Sequence, residues 1–278
     1  MKVEDCIVAV ERRTLGGCVD LAFIFVRTFM LPIAILTLTF AVPCCILAWW
    51  LAEAQQTDVL PVALLVFAGF NTIYGGALVA AVGPQVFGDS ISTTAAIRSV
   101  GKRFISYTFL GLLTRIPTAC MFVPGLFIYP WCGHLAEVMF LENTSLSGIS
   151  ERLSWLGQRG GYSRNLGRCT GLILLWALMA FGLALLIDLL VSILFNVPSV
   201  IDSVTGSATN PDAEMARQSQ LYDSPLVVTV VLACVWATAP VIRVAWFFCY
   251  LDQRIRNECW DIELLYRAEA TRLRKQAP

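Results

Sequence analysis

The sequence predicts an all-α fold: a polytopic transmembrane bundle of about six helices in three hairpins, with amphipathic helices at the cytoplasmic interface. Three observations lead there. Hydrophobic residues make up 57% of the 278-residue chain and charged residues only 14%, where a soluble domain carries roughly a quarter. Apolar windows of about 20 residues recur, the length that crosses a hydrocarbon core of about 30 Å. Those windows lack period-two alternation, which argues against a β-barrel, and backbone amides in lipid must bond within their own helix. Mean hydropathy is +0.70.

Six spans follow in order, over 19–51, 59–86, 104–123, 126–141, 170–195 and 226–250. The first is longer than a crossing needs, so it tilts or begins as an interfacial helix, and its Pro32 and Pro43 predict kinks. The third and fourth are short and meet at Val123-Pro124-Gly125. That pair reads as a tight turn between spans or as the tip of a re-entrant hairpin. The chain 1–278 is then a single integral membrane domain. It has a cytoplasmic segment at 1–18, an external loop at 196–225, and a cytoplasmic amphipathic helix and tail at 251–278. Ala52-Glu53-Ala54 resembles a signal-cleavage site, but the apolar run before it is about 30 residues against roughly 7–15 for a signal core. No cleavage is expected.

Orientation comes from the basic residues. Sixteen of the twenty Lys and Arg fall in segments 1–18, 88–103, 142–169 and the tail, all on one side of a six-span layout. The other side holds Glu53, Asp58, Asp202, Asp212, Glu214 and Asp223 against Arg217. By the positive-inside rule both termini are cytoplasmic.

Two of the basic loops look related. DSISTTAAIRSVGKRF (89–104) and NTSLSGISERLSWLGQR (143–159) each open with residues suited to helix capping and continue through an amphipathic stretch to a Gly-x-Arg exit. ERRTLGGCVD near the N-terminus is a fainter third copy. Each copy introduces a hairpin as an interfacial helix, so Arg98, Lys102, Arg103, Arg152 and Arg159 are candidates for contact with anionic lipid or a docking partner. Beyond the last apolar span, YLDQRIRNECWDIELL (250–265) is dense in charge yet regularly apolar. Leu251, Ile255, Cys259, Ile262 and Tyr266 make one helical stripe. Asp252–Arg256, Arg254–Glu258 and Glu263–Arg267 are opposite charges four residues apart. The sixth helix should therefore continue to about Leu273 and dock its stripe near Arg98 and Arg152.

Val123-Pro124-Gly125, the following span, Phe140-Leu141-Glu142 and the helix with Arg152 and Gly157 resemble a bacterial group. These are the uncharacterised inner-membrane families related to the membrane domain of glycerophosphodiester phosphodiesterases. The tail residues Tyr250, Asp252, Arg254, Ile255, Arg256, Glu258, Asp261, Ile262, Glu263 and Leu264 are similar to a tail motif of that group. Leu153 departs from its pattern after Arg152. The resemblance covers about 85–160 and 240–266 and, with no catalytic domain attached, implies a membrane module without phosphodiester chemistry.

Chemistry is sparse. There is no G-x-S-x-G, H-E-x-x-H or Walker A sequence, and Gly157 to Gly161 fits no phosphate loop. Ten cysteines and one histidine, with no C-x-x-C, read as small buried hydrophobes rather than a metal site. No cofactor and no nucleic-acid partner are expected. What remains is charge inside the apolar spans, each costing about 2.5–3.5 kcal/mol at a helix centre unless paired. Depth counted along the spans matches Arg115 with Asp188 and Glu137 with Arg243, Arg27 competing for the latter. The first reading is a non-enzymatic scaffold of the bacterial inner membrane, in contact with lipids and with envelope proteins on its cytoplasmic face. The alternative is a transporter or lipid-handling protein with a polar path between hairpins.

Overall fold

The computed structural model describes residues 12–55, 59–86, 93–120, 122–142, 144–158, 160–195 and 224–258. Among them the chain is almost entirely helical, without a strand. The helices are α1 (Leu15–Thr28), α2 (Met30–Gln55), α3 (Val59–Val86), α4 (Thr93–Lys102), α5 (Phe104–Cys120), α6 (Phe122–Cys132), α7 (Leu135–Phe140), α8 (Ile149–Gly157), α9 (Gly161–Phe195) and α10 (Pro225–Glu258). Four of them, α2, α3, α9 and α10, are long and apolar enough to cross a membrane.

Several boundaries differ from the sequence reading, each for a local reason. The first predicted span is two helices broken at Phe29. Pro32 has no N–H to return to the Thr28 carbonyl, so the ladder cannot run through that point. Thr14 caps α1, its Oγ1 accepting the Gly17 amide at 3.2 Å. Val123-Pro124-Gly125 is not a turn: α6 runs through it from Phe122, and proline is tolerated there because the first helical turn has no N–H to lose. The fourth predicted span is interrupted instead at Gly133-His134, between α6 and the six-residue α7. The fifth begins early, because α9 starts at Gly161. The sixth agrees with the expectation of a helix that continues past Tyr250, and is helical through Glu258, the last described residue. The predicted loop at 196–225 and the tail beyond Glu258 lie almost wholly outside the described residues.

The chain divides into two compact units. Residues 37–71 and 173–239 form one. Its centre is aromatic: Phe67 meets Trp236 edge-on at 5.4 Å and Trp176 at 5.8 Å. Trp176 Nε1 donates to the Val235 carbonyl and Thr238 Oγ1. Its outer surface is apolar, with Leu38, Ile46, Trp50, Leu178, Phe181 and Ile193 all exposed, as a lipid-facing surface would be.

The other unit comprises 1–36, 72–172 and 240–278 and holds nearly all the buried polar groups. Its axis is the C-terminal half of α10, whose residues 240–253 are all buried. A helix buried on every side is a core helix, not a surface one. In the described part of the segment that begins at 251, Asp252 and Gln253 are as buried as Leu251, and partial exposure begins at Arg254.

Candidate functional site

The charged and polar residues of this second unit form one layer along α10. Arg243, Trp246, Tyr250 and Gln253 lie at i, i+3, i+7 and i+10, a single helical face. Each meets a partner from the segment 133–161. Arg243 Nη2 is 2.9 Å from Glu137 Oε1, and the two side chains are 8% and 0% exposed. Trp246 Nε1 donates to the Gly133 carbonyl at 3.0 Å, and the His134 ring stacks on the indole at 4.4 Å. Tyr250 donates its hydroxyl to Glu142. Gln253 Nε2 donates to the Leu156 carbonyl in the last turn of α8, which Asn257 Nδ2 also reaches at 3.3 Å.

Glu142 is the hub of the first ionic cluster. Arg152 binds it through Nε at 2.6 Å and Nη2 at 2.8 Å, the two-pronged geometry that favours arginine over lysine. Arg152 Nη2 also pairs with Glu258 and its guanidinium lies over the Trp155 ring. Arg254 closes the cluster, 2.8 Å from Glu258 and 3.6 Å from Glu142. Burial works against ionising Glu142, but the hydrogen bonds from Arg152 and Tyr250 outweigh it and hold the carboxyl below its ordinary value. The bond to Glu142 is also the main reason the Arg152 guanidinium is held above its own.

Asp252 centres the second cluster. It accepts from the Arg13 amide at 2.7 Å, from Arg168, and from Arg256 Nε at 2.7 Å. Arg168 also reaches the Cys249 carbonyl at 3.1 Å, and both Arg168 and Arg256 bond the Arg13 carbonyl. The chain just before α1 is thus clamped through its backbone to α9 and α10.

Of the residues singled out from sequence, Glu137 with Arg243 and Asp252, Arg254, Arg256, Glu258 and Arg152 all fall in this layer. Arg27, the suggested competitor, is exposed at the end of α1. Arg103 is committed elsewhere: its Nη1 donates to the Met139 and Thr144 carbonyls, tying off the end of α7. Arg98 and Lys102 are exposed on α4, whose Ala96 and Val100 are buried. Asp188 lies on α9 in the first-described unit, whereas the Arg115 side chain, Arg159, Asp261 and Glu263 lie outside the described residues. Asn165 and Arg168 were missed because they precede the predicted fifth span. The signal was present: Asn165, Arg168, Cys169 and Leu172 have helical spacing, and all four are buried. Gly157 to Gly161, which fits no phosphate loop, is a helix junction. Gly160 sits at φ +78°, and a Cβ on Gly161 would overlap the Leu156 carbonyl.

Among the described residues no three His, Cys, Asp or Glu side chains gather as a metal site. No known family, characterised protein or solved structure matches the chain.

Proposed function

We propose that the protein is a non-enzymatic scaffold of the bacterial inner membrane with both termini in the cytoplasm. The observation that supports this reading is the closure of the charged layer. Asp252, Arg254, Arg256 and Glu258 each have an ionic partner within the unit. Charges held in such mutual bonds fix a shape rather than carry a substrate. Arg98 and Lys102 are both exposed on α4, a short basic helix suited to anionic headgroups or an acidic face of an envelope partner. The sequence resemblance to membrane modules related to glycerophosphodiester phosphodiesterases is part of the same reading, and so is the crossing of α5 and of α6–α7 as third and fourth spans.

The test is site-specific photo-crosslinking in cells from position 98 or 102, with position 178 as the apolar control. A partner or lipid captured from α4 alone, and still captured by the Glu137→Leu/Arg243→Met double variant, is the expected result. Capture that requires the buried pair would count against a scaffold. It would favour the second reading, transport or lipid handling, which draws on the polar groups buried around His134 and Arg243.

A further inference from the structure

His134 sits at the break between α6 and α7 with 1% of its surface exposed, and neither ring nitrogen has a hydrogen-bond partner. A neutral imidazole carries one N–H and one bare nitrogen, so both a donor and an acceptor are left over. The side-chain amides of Asn165 and Gln253 face the ring without making an aligned hydrogen bond to it. Asn165 gives its Nδ2 to the Pro130 carbonyl and Gln253 its Nε2 to the Leu156 carbonyl. Those two bonds fix which way each amide points, and they leave Asn165 Oδ1 and Gln253 Oε1 as buried acceptors without donors. Arg243, one turn before the Trp246 that stacks on His134, is in ion-pair contact with Glu137, yet its Nε and Nη1 have no hydrogen-bond partner. Two amide oxygens, an imidazole and two guanidinium N–H groups of this unit are therefore buried without an aligned partner.

We propose that His134, Asn165, Gln253 and Arg243 enclose a buried water site, holding about one or two ordered water molecules. Water is the one small ligand class that answers all of these groups. An anion without a proton, such as chloride, could accept from Arg243 and the imidazole N–H but has nothing to donate to two amide oxygens. A metal cation could take the amide oxygens but would lie beside a guanidinium and leave its N–H groups unmet. A water molecule donates to Asn165 and Gln253 and accepts from His134 or Arg243, within the usual two to four polar partners of a buried water. The site extends beyond either functional reading: it makes the centre of a charge-closed layer wet.

Because His134 is the single histidine of the chain, labelling with ¹⁵N-histidine reports this site alone. The full chain, purified without a polyhistidine tag into lipid nanodiscs, should show a rotating-frame Overhauser cross-peak between the ring N–H and water, of the sign that marks bound water rather than proton exchange. Asn165→Leu or Gln253→Met, in variants that keep the native near-ultraviolet circular dichroism, should cut that cross-peak at least twofold. Absence of the cross-peak in the native protein overturns the proposal, as does a cross-peak unchanged in both variants. A ring shift that follows sodium concentration also overturns it, in favour of a cation.

Discussion

At Glu137 a carboxylate is buried completely, with Arg243 at 2.9 Å. Removing two charges from water costs several kcal/mol each, and only their proximity offsets it. Glu137→Gln should therefore lower stability by about 3–5 kcal/mol, because it strands a buried guanidinium. Glu137→Leu with Arg243→Met should recover most of that loss, and thermal unfolding in detergent measures both. A double variant as unstable as the single would show that Glu137 acts through some contact other than the pair. Glu142 gives a pH-dependent counterpart. Its carboxyl is held below the ordinary value of 4.5 despite opposing burial, mainly by Arg152 and Tyr250. A depressed carboxylate contributes stability that is full above its unfolded value and is lost as pH falls through the folded one. The melting temperature of the native chain should thus drop below about pH 4.5 more steeply than that of Glu142→Gln. Parallel acid profiles for the two would remove Glu142 from this role. Counting depth along two apolar helices is enough to match Glu137 with Arg243, because a charge in an apolar span has few levels at which to find a partner. Arg168 and Asp252 were not legible in that way: each lies beyond the apolar run that defined its predicted span, where a charge reads as solvated.

Helix boundaries tell the same story one level up. Long apolar runs identify α2, α3, α9 and α10 directly, since length and hydropathy are properties of the chain alone. The breaks are harder, because a proline interrupts a helix only where its missing hydrogen bond is not already an end group. Pro32 breaks its run, Pro43 lies within α2 and Pro124 lies in the first turn of α6. The α8–α9 junction depends on Gly160 in the left-handed region, where any Cβ costs about 1–2 kcal/mol. Gly160→Ala should lower stability by about that amount, and a loss under a few tenths would mean that the junction relaxes freely. The end of α10 is the other critical element. Gln253 and Asn257 hold the Leu156 carbonyl, and Arg254 and Glu258 hold Glu142 and Arg152. Truncation after Asp252 removes all four contacts. The shortened protein should insert normally but expose segment 142–169 to protease several-fold faster. Equal protection in the two forms would make those contacts incidental.

For the molecule as a whole, four long helices and six predicted spans agree on sidedness almost everywhere. Crossings by α2, α3, α9 and α10 alone leave 1–18, 88–103, 142–169 and the tail on one face, because α5 to α7 then enter and leave on the same side. The segregation of sixteen basic residues therefore cannot distinguish the two layouts, which differ only at the α5–α6 apex near residue 121. The helix lengths make the choice a close one. At about 1.5 Å per residue, the 17 residues of α5 reach roughly 25 Å and the 11 of α6 roughly 16 Å. A hydrocarbon core of about 30 Å is longer than either. Crossing on the return path requires α6, the Gly133-His134 break and α7 to act together. A broken helix at that depth is tolerated only when protein surrounds the break, and residues 132 to 139 are all buried. That burial satisfies the condition for the six-span layout, in which the apex reaches the external face. Met121→Cys, in a background with the ten native cysteines changed to alanine, should then react with a membrane-impermeant maleimide added to intact cells. A cysteine at Gly206 is the external control and one at Ala277 the internal control. Labelling at 206 but not at 121 would make α5–α6 a re-entrant hairpin and leave four crossings.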